Sequence, residues 1–336
     1  MIKVGLIGFG FMGRMHFDNY TRLMAEGAPV QLKAICDVRI EELKDGKAIG
    51  NIATNQELYN LDPFNLYTDI EEMIANEDLD MIDITLPTGL HADITISMLE
   101  KGYHVMCEKP IARTAEDAWR MVATAERTGK KLMIGQCLRF WPAYEYAKAC
   151  IEDGRYGKPL GGSFFRGSGL PAEWFLDGSK SGGCLLDMHI HDTDMVHWLF
   201  GVPDKVSTMA RNVIPGSAYD IVSTHYVYDS GLVLNAQADW TLRGDFGFEM
   251  NYRINFEGGN LIFADNKVKV NPNEEPSFVA ELSDDMGYYF EIRSFIDSLA
   301  NDKPITVCTP ESAARTLDII EAEQKSADAG GTFISL

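Results

Sequence analysis

With 336 residues, the chain is longer than a single hydrophobic core usually supports, so we expect two domains. Hydrophobic residues make up 46% and charged residues 24% of the sequence, which is typical of a globular protein. The formal net charge of -20 argues against a nucleic-acid or anionic-membrane partner, because phosphate groups are bound by clustered Lys and Arg.

The sequence shows no targeting or membrane-spanning signal. No window approaches the roughly eighteen consecutive apolar residues of a membrane span, and the first apolar run starts too early to leave room for a signal peptide. The six cysteines show neither CxxC pairing nor the spacing of zinc ligands. We expect them to be reduced thiols, and the protein to be cytoplasmic with no membrane partner.

The first apolar run, from Ile2 to Ile7, is followed at once by a glycine-rich turn and then by a segment of helix length. In a dinucleotide-binding strand–turn–helix, the first glycine permits the tight turn, the second lets the backbone approach the pyrophosphate, and the third lets helix and strand pack closely. N–H groups at the start of the helix point at the phosphates. The predicted cofactor contacts of this turn are Gly8, Gly10, Phe11, Met12 and Gly13.

The second apolar run, from Gln31 to Cys36, ends in Asp37, where the ribose-binding carboxylate of such a unit belongs. A carboxylate accepts hydrogen bonds from the ribose diol but repels a 2′-phosphate, so NAD is favoured over NADP. Arg39, two residues further on, could stack on adenine or permit some use of NADP. We predict NAD as the cofactor, with NADP as the less favoured alternative.

Strand-like and helical segments alternate up to about residue 136. The predicted strands are 79–86, 104–107 and 131–135, and the predicted helices are 40–47, 70–75, 92–101 and 114–128, with an irregular segment between residues 39 and 67. This alternation predicts a Rossmann domain over residues 1–136, a doubly wound parallel sheet with ligands beyond the carboxyl ends of its strands. Gly8, Asp37, Pro87 and Lys109 all follow such ends, so we expect them to converge on one crevice.

The second half has a different pattern. Strand-like segments at 160–166, 205–212, 221–228, 232–240, 249–257 and 260–263 follow a helix at 144–152, and helices at 288–300 and 310–326 close the chain. Several strands are joined by hairpin-type turns. We predict an α+β domain over residues 137–336, with an open, predominantly antiparallel sheet.

The stretch from Gly182 to Asp194 is rich in polar groups within a predicted helix that ends at Gly201. Asp187 and His191 are four residues apart and share a helix face, where the carboxylate can orient the imidazole as a general base. A surface ion pair or a core histidine is the alternative. A metal site is disfavoured, because His189 and His191 point about 200° apart on a helix.

Five motifs together resemble the Gfo/Idh/MocA family of NAD(P)-dependent sugar and polyol dehydrogenases, which includes inositol dehydrogenases. The motifs are Gly8 to Gly13, Pro87-Thr-Gly-Leu-His91, Glu108-Lys109-Pro110, Gly135-Gln-Cys-Leu-Arg139-Phe140 and Gly182 to Asp194. The resemblance implies hydride transfer between NAD and a CH–OH group of a sugar, sugar acid or inositol-like cyclic polyol. It also implies a homodimer or homotetramer.

The resemblance further implies the catalytic residues Lys109, Asp187 and His191. His191 would take the proton of a substrate hydroxyl, and the Lys109 ammonium would stabilise the developing alkoxide. Pro110 could fix the turn that aims Lys109, with a cis peptide bond as one option. The implied cofactor contacts in this part of the chain are Pro87, Thr88, His91, Glu108 and Lys109, although His91 could instead pack or cap its helix.

The substrate contacts that we expect beside Lys109 and His191 are Arg139, Arg166, Trp174 and His189. Trp174 could offer a flat apolar face to a sugar ring. A solvent-exposed cation or a core aromatic residue is the alternative at each arginine and at the tryptophan. Two other functions stay open, namely an NAD-dependent glycosidase that oxidises its substrate transiently and a non-catalytic NAD-binding regulator.

Overall fold

The computed structural model describes residues 1–43 and 59–336. This part of the chain divides into two compact units. Unit 1 comprises Met1–Cys137 and Tyr288–Ala314, and unit 2 comprises Leu138–Gly287 and Arg315–Leu336. The sequence predicts one domain over residues 137–336, whereas Tyr288–Ala314 belong to unit 1 in the structure.

Ten helices and fifteen strands are present in the described residues. The helices are α1 (Phe11–Ala25), α2 (Ile40–Leu43), α3 (Ile70–Asn76), α4 (His91–Glu100), α5 (Ala115–Thr128), α6 (Pro142–Asp153), α7 (Gly178–Ser181), α8 (Ile190–Phe200), α9 (Gly287–Ala300) and α10 (Pro310–Asp328). Short 3₁₀ turns cover Thr88–Leu90, Cys137–Phe140 and Glu173–Leu176, and one π-helical turn covers Leu185–His189. The predicted helix at 40–47 is present up to Leu43, and its remainder lies outside the described residues.

Unit 1 contains a six-stranded parallel sheet in the order β3-β2-β1-β4-β5-β6. Its strands are β1 (Ile2–Ile7), β2 (Val30–Cys36), β3 (Asn65–Tyr67), β4 (Met81–Ile84), β5 (His104–Glu108) and β6 (Leu132–Gly135). The predicted Rossmann sheet is confirmed. The sequence missed β3, because this strand has three residues and no apolar run. The chain order reverses between β1 and β4, where sheets of this type bind their ligands.

Two helices of unit 1 are capped by residues at their ends, close to the boundaries that the sequence predicts. The Thr114 side chain accepts a hydrogen bond from the Asp117 N–H and caps α5, which ends at Gly129 with φ +65°. The Asp69 side chain caps α3 in the same way, by accepting from the Glu72 N–H. The loop between β5 and α5, which contains Lys109, is therefore bounded by a buried strand and a capped helix.

Unit 2 contains a nine-stranded sheet in the order β14-β13-β12-β11-β7-β10-β9-β8-β15. Its strands are β7 (Pro159–Ser168), β8 (Lys205–Arg211), β9 (Ile221–Val227), β10 (Val233–Asp239), β11 (Phe248–Phe256), β12 (Gly259–Ala264), β13 (Lys267–Pro272), β14 (Phe278–Val279) and β15 (Ile334–Ser335). All neighbours are antiparallel except β7 and β10. The predominantly antiparallel sheet is confirmed.

After β7 the chain leaves the sheet, passes through α7 and α8, and returns as β8. The antiparallel strands β8, β9 and β10 then place β10 beside β7 in the same direction. The segment from the π-helical turn to α8 packs against β7, β9 and β10. The sequence missed β13, β14 and β15. The last two have two residues each, so only their pairing partners define them.

The described helices include none that is both long enough and apolar enough to cross a bilayer. All six cysteines are free and buried.

Replacing Gly13 by Ala should destabilise unit 1 by about 1–3 kcal/mol or more, because the new Cβ would lie 2.1 Å from the carbonyl oxygen of Gly8. Gly10→Ala is the matched control, since a Cβ at Gly10 meets nothing within 4 Å. Because Ala is a weaker helix N-cap than Gly, this variant should lose at most about 1 kcal/mol of unfolding free energy. Denaturant unfolding of the two purified variants measures both. Equal stability of the two variants would contradict the steric argument.

Candidate active site

The glycine turn after β1 has the geometry that the sequence predicts for its first and third glycines. Gly8 lies at φ +95°, and a Cβ on it would come within 2.9 Å of the Thr85 carbonyl group. The Thr85 hydroxyl donates to the Gly8 carbonyl oxygen at 2.9 Å, which ties the turn to the chain that follows β4. The turn is therefore held from the side of the sheet.

The other side of the turn is open. A Cβ on Gly10 would meet nothing within 4 Å. Gly10 is also the N-cap of α1 and provides no side-chain hydrogen bond to the N–H groups of the first turn, which includes Phe11 and Met12. Because helix N-termini with uncapped N–H groups attract anions, this side of the turn fits the pyrophosphate of a dinucleotide.

Asp37 stands directly after β2 and is bonded to the same turn. Its carboxylate accepts hydrogen bonds from the backbone N–H groups of Phe9 and Arg39, both at 2.8 Å. Each carboxylate oxygen has a second lone pair, so the group can still accept a ribose hydroxyl. The side chain of Arg39 is exposed. Asp37 thus fits its predicted role, and it also fixes the turn.

The residues predicted after β4 differ in their surroundings. Pro87 is exposed and Thr88 is buried. His91 is 1% exposed, with Nδ1 2.7 Å from the Pro110 carbonyl oxygen and Nε2 2.7 Å from that of Leu86. Burial lowers the pKa of His91. Both ring nitrogens are engaged by the backbone, so these contacts favour the packing alternative over a direct cofactor contact.

Lys109 follows β5 and is half-buried. Its backbone N–H donates to Glu108 Oε2 at 3.0 Å, and the Lys109–Pro110 peptide bond is cis. The side chain of Glu108 turns into unit 1, where Oε1 lies 3.0 Å from His16 Nε2. The expected cofactor contact of the Glu108 carboxylate is therefore not supported, because both of its oxygens bind other groups of unit 1.

His16 belongs to a buried ionisable cluster behind Lys109 that the sequence analysis missed. His16 Nδ1 lies 2.8 Å from Asp83 Oδ2, which also accepts from the Tyr20 hydroxyl at 2.8 Å. Burial acts to lower the pKa of His16, but Asp83 and Glu108 outweigh it and hold the pKa well above its usual value. Burial and the nearby Glu108 raise the pKa of Glu291. The available signal was Asp83, a charge inside an otherwise apolar strand.

In unit 2, Asp187 and His191 lie on two consecutive helical segments. Asp187 is in the π-helical turn and His191 is in α8, which ends at Gly201 as predicted. Every residue from Gly183 to Val196 is buried except these two, which are half-buried. The two side chains therefore occupy the accessible side of this stretch, as the shared face predicts. π-Helical turns are frequent at functional sites.

The first residues of the Gly183–Val196 stretch pack against the loop between β8 and β9. Gly183 lies at φ +74°, its Cβ position is 2.8 Å from the Ser217 carbonyl oxygen, and the Cys184 N–H donates to the Tyr219 carbonyl oxygen at 2.8 Å. The buried carboxylate of Asp220 accepts from the Ser217 hydroxyl and from Trp240 Nε1, both at 2.6 Å. Sequence analysis missed Asp220, which anchors the loop that Gly183 and Cys184 contact.

Arg139 and Arg166, expected to contact substrate, are buried in ion pairs. Arg139 is 1% exposed and binds both oxygens of Asp194 at 2.6 and 2.9 Å. Arg166 is 3% exposed and binds both oxygens of Asp192 at 3.1 Å. These forked pairs attach α8 to its surroundings and favour a structural role, while the substrate contacts expected of the two arginines stay predictions.

The substrate contacts expected of His189 and Trp174 also stay predictions. His189 is fully buried, with Nε2 3.1 Å from the Thr224 hydroxyl and 3.3 Å from Glu323 Oε2. It therefore packs between the helix and the sheet, a position that favours a structural role over the expected substrate contact. Trp174 is half-buried and stacks edge-on against Phe175, with a ring-centre distance of 5.0 Å.

The solved structure of levoglucosan dehydrogenase in complex with NADH and levoglucosan shares this fold. It matches with a TM-score of 0.85 over 99% of each chain at 22% sequence identity.

Two curated relatives match at higher identity over shorter segments. Inositol 2-dehydrogenase of Salmonella typhimurium is 28% identical over 201 residues, covering 59% of this chain and 54% of that protein. The 2,7-anhydro-N-acetylneuraminate hydratase of Mediterraneibacter gnavus is 30% identical over 213 residues, covering 62% of this chain and 53% of that protein. The chain thus spans about half the length of these curated relatives.

Two family models match consecutive parts of the chain. The model described as "Oxidoreductase family, NAD-binding Rossmann fold" matches residues 2–136, and the one described as "GFO/IDH/MocA C-terminal domain" matches residues 144–262. The first match contains the glycine turn and Lys109, and the second contains Asp187 and His191. Together with the two sheets, these matches show that the chain belongs to the Gfo/Idh/MocA family of oxidoreductases.

Proposed function

We propose that the protein is an NAD-dependent dehydrogenase of a sugar, a sugar acid or a cyclic polyol such as an inositol. The observation that carries this proposal is the accessibility of Asp187 and His191 within an otherwise buried stretch. Such a pair provides a proton acceptor held by a carboxylate, which oxidation of a hydroxyl group requires. The relative named inositol 2-dehydrogenase supports the substrate class.

The residues of unit 1 that would hold NAD are those of the glycine turn and Asp37. The open side of Gly10 and the N–H groups of Phe11 and Met12 would bind the pyrophosphate. Asp37 would accept hydrogen bonds from the adenosine ribose. The nicotinamide, when bound, supplies the hydride acceptor of the reaction.

The catalytic set that we propose is Lys109, Asp187 and His191. The imidazole of His191 accepts the proton of the substrate hydroxyl, and the carboxylate of Asp187 orients the ring and stabilises its charged form. The ammonium of Lys109 stabilises the alkoxide that develops as the carbon-bound hydrogen leaves. Pro87 and Thr88 remain proposed cofactor contacts, and Trp174 remains a proposed apolar contact for the sugar ring.

A second candidate is a lyase or glycosidase reaction with transient oxidation of the substrate. The relative named as a hydratase favours it. Oxidation at one carbon acidifies the hydrogen on its neighbour and permits elimination, so the same residues would suffice. Product analysis beside NADH absorbance separates the two candidates, because only a dehydrogenase accumulates NADH in step with product.

We also propose that the protein acts in the cytoplasm as a homo-oligomer. Its six cysteines are free, as in proteins of reducing compartments. Met209 on β8 is 62% exposed and Val233 on β10 is 69% exposed, on the same face of the sheet. Packing against the corresponding sheet of a second copy would remove these apolar side chains from water.

Replacing Lys109 by Met should lower kcat/KM for NAD-dependent oxidation of the best substrate by about 10²- to 10⁴-fold, because the alkoxide loses its cation. A panel of polyols, aldoses and sugar acids, followed by NADH absorbance, first identifies that substrate with the unmodified protein. NADH binding, measured by fluorescence, should change little. The control is Lys101→Met, which removes an exposed lysine paired with Glu71. Near-normal turnover of the Lys109 variant would refute the assignment.

Replacing His191 by Asn should remove the rise in oxidation rate with pH, because an amide cannot accept the substrate proton. Imidazoles ordinarily titrate between about pH 5 and 8, so rates are compared across that range. His225→Asn, a change at an exposed histidine of β9, should leave the profile unaltered. If the His191 variant keeps the profile of the unmodified protein, another group is the base.

Replacing Asp37 by Ala should lower the ratio of kcat/KM for NAD to that for NADP by roughly 10- to 100-fold, the value of one or two charge-assisted hydrogen bonds. Asp37→Asn removes the charge but keeps one oxygen that can accept from one of the two backbone N–H groups. Comparing it with Asp37→Ala separates repulsion of a 2′-phosphate from support of the turn. An unchanged ratio in both variants would remove the argument for NAD.

A further inference from the structure

We propose that His16, Glu108 and Glu291 form a binding site for a divalent transition-metal ion inside unit 1. The proposal concerns other residues than the Gly182–Asp194 stretch, where the sequence disfavoured a metal, and it does not depend on the proposed reaction. Among the described residues, these three side chains present one ligand atom each within 4.8 Å of one another, and all three are buried.

The spacing of two of the atoms fits neighbouring ligands of one ion. His16 Nε2 and Glu108 Oε1 are 3.0 Å apart. Ligands bound about 2.0–2.2 Å from an ion are separated by about 2.8–3.1 Å in octahedral geometry and by about 3.3–3.6 Å in tetrahedral geometry. An ion that displaces the proton between them could therefore bind both atoms with little movement of either side chain.

Glu291 supplies the independent observation. Its side chain is fully buried, and neither carboxylate oxygen has a hydrogen-bond partner among the described residues. The charged form of a buried carboxylate without a partner is strongly disfavoured. A metal ion bound by His16, Glu108 and Glu291 together would give the Glu291 carboxylate the positively charged partner that it otherwise lacks among the described residues.

The surroundings of His16 match the usual support of a metal-binding histidine. Nδ1 lies 2.8 Å from Asp83 Oδ2, and the Tyr20 hydroxyl donates to the same oxygen. A carboxylate that accepts from one ring nitrogen directs the lone pair of the other nitrogen at the ion. Here that other nitrogen is Nε2, on the side of Glu108.

The ligand set indicates the class of ion. One imidazole nitrogen with two carboxylates suits Zn²⁺, Mn²⁺, Fe²⁺ or Co²⁺, whereas Ca²⁺ and Mg²⁺ prefer oxygen alone. Asp83, Glu108 and Glu291 bring three carboxylates into the interior, so a doubly charged ion would offset most of their charge. The ion would join α1, β5 and α9, and thereby fasten the returning segment from Tyr288 to the Rossmann sheet.

The test uses the full-length protein, stripped with a chelator and then dialysed against micromolar Zn²⁺ or Mn²⁺. We expect about one tightly held equivalent by elemental analysis and an apparent melting temperature raised by a few degrees over the stripped protein. Co²⁺ loading gives a second readout, since bound Co²⁺ absorbs visible light according to its ligands. No retained ion and no thermal shift with either metal would overturn the proposal, and would favour a proton shared among the carboxylates.

Variants identify the ligands. Glu291→Gln should lose the bound equivalent, the thermal shift and the Co²⁺ spectrum. Glu323→Gln is the matched control, because Glu323 is a fully buried glutamate of unit 2 that also has an oxygen without a hydrogen bond among the described residues. It should keep all three. Equal metal retention by both variants would indicate binding elsewhere on the surface and would overturn the proposal. If Glu291→Gln does not fold, the Co²⁺ spectrum of the unmodified protein still decides whether a nitrogen-and-oxygen site exists.

Discussion

The contact between Gly13 and the carbonyl oxygen of Gly8 is the constraint on which unit 1 depends. Because no Cβ fits there, α1 starts directly against the end of β1. Thr85 holds the turn from the side of β4 and Asp37 holds it from the side of β2. Three neighbouring strand ends are thus bound to one turn, whose side at Gly10 is left open.

Behind this edge, unit 1 buries charge where a parallel sheet normally buries only apolar side chains. Asp83 lies within β4, and Glu108 ends β5. Through His16 they connect α1 to the peptide that carries Lys109. Buried charges of this kind add little stability by themselves, but removal of one partner is costly, so they specify one arrangement of the strand ends.

Unit 2 uses buried ion pairs to hold a helix while two polar groups stay accessible. Arg139 and Arg166 bind Asp194 and Asp192, the side chains on the inner side of α8. Asp220 fixes the loop on which the π-helical turn begins. The helix is therefore attached firmly to its sheet, and Asp187 and His191 occupy its accessible side.

The sequence by itself determined the features that depend on near neighbours in the chain. Alternation of period two or 3.6 predicted most strands and helices, the glycine spacing predicted the tight turn after β1, and Thr114 and Gly201 marked helix ends. Hydrogen bonding and burial within one element set these patterns. The tertiary structure alone decided which partners the charged side chains have. It paired Arg139 and Arg166 with aspartates, turned Glu108 towards His16, and brought Glu291 to both, because packing between residues remote in sequence selects these partners. Strands as short as β14 and β15 likewise exist only through their neighbours, so no local pattern could predict them.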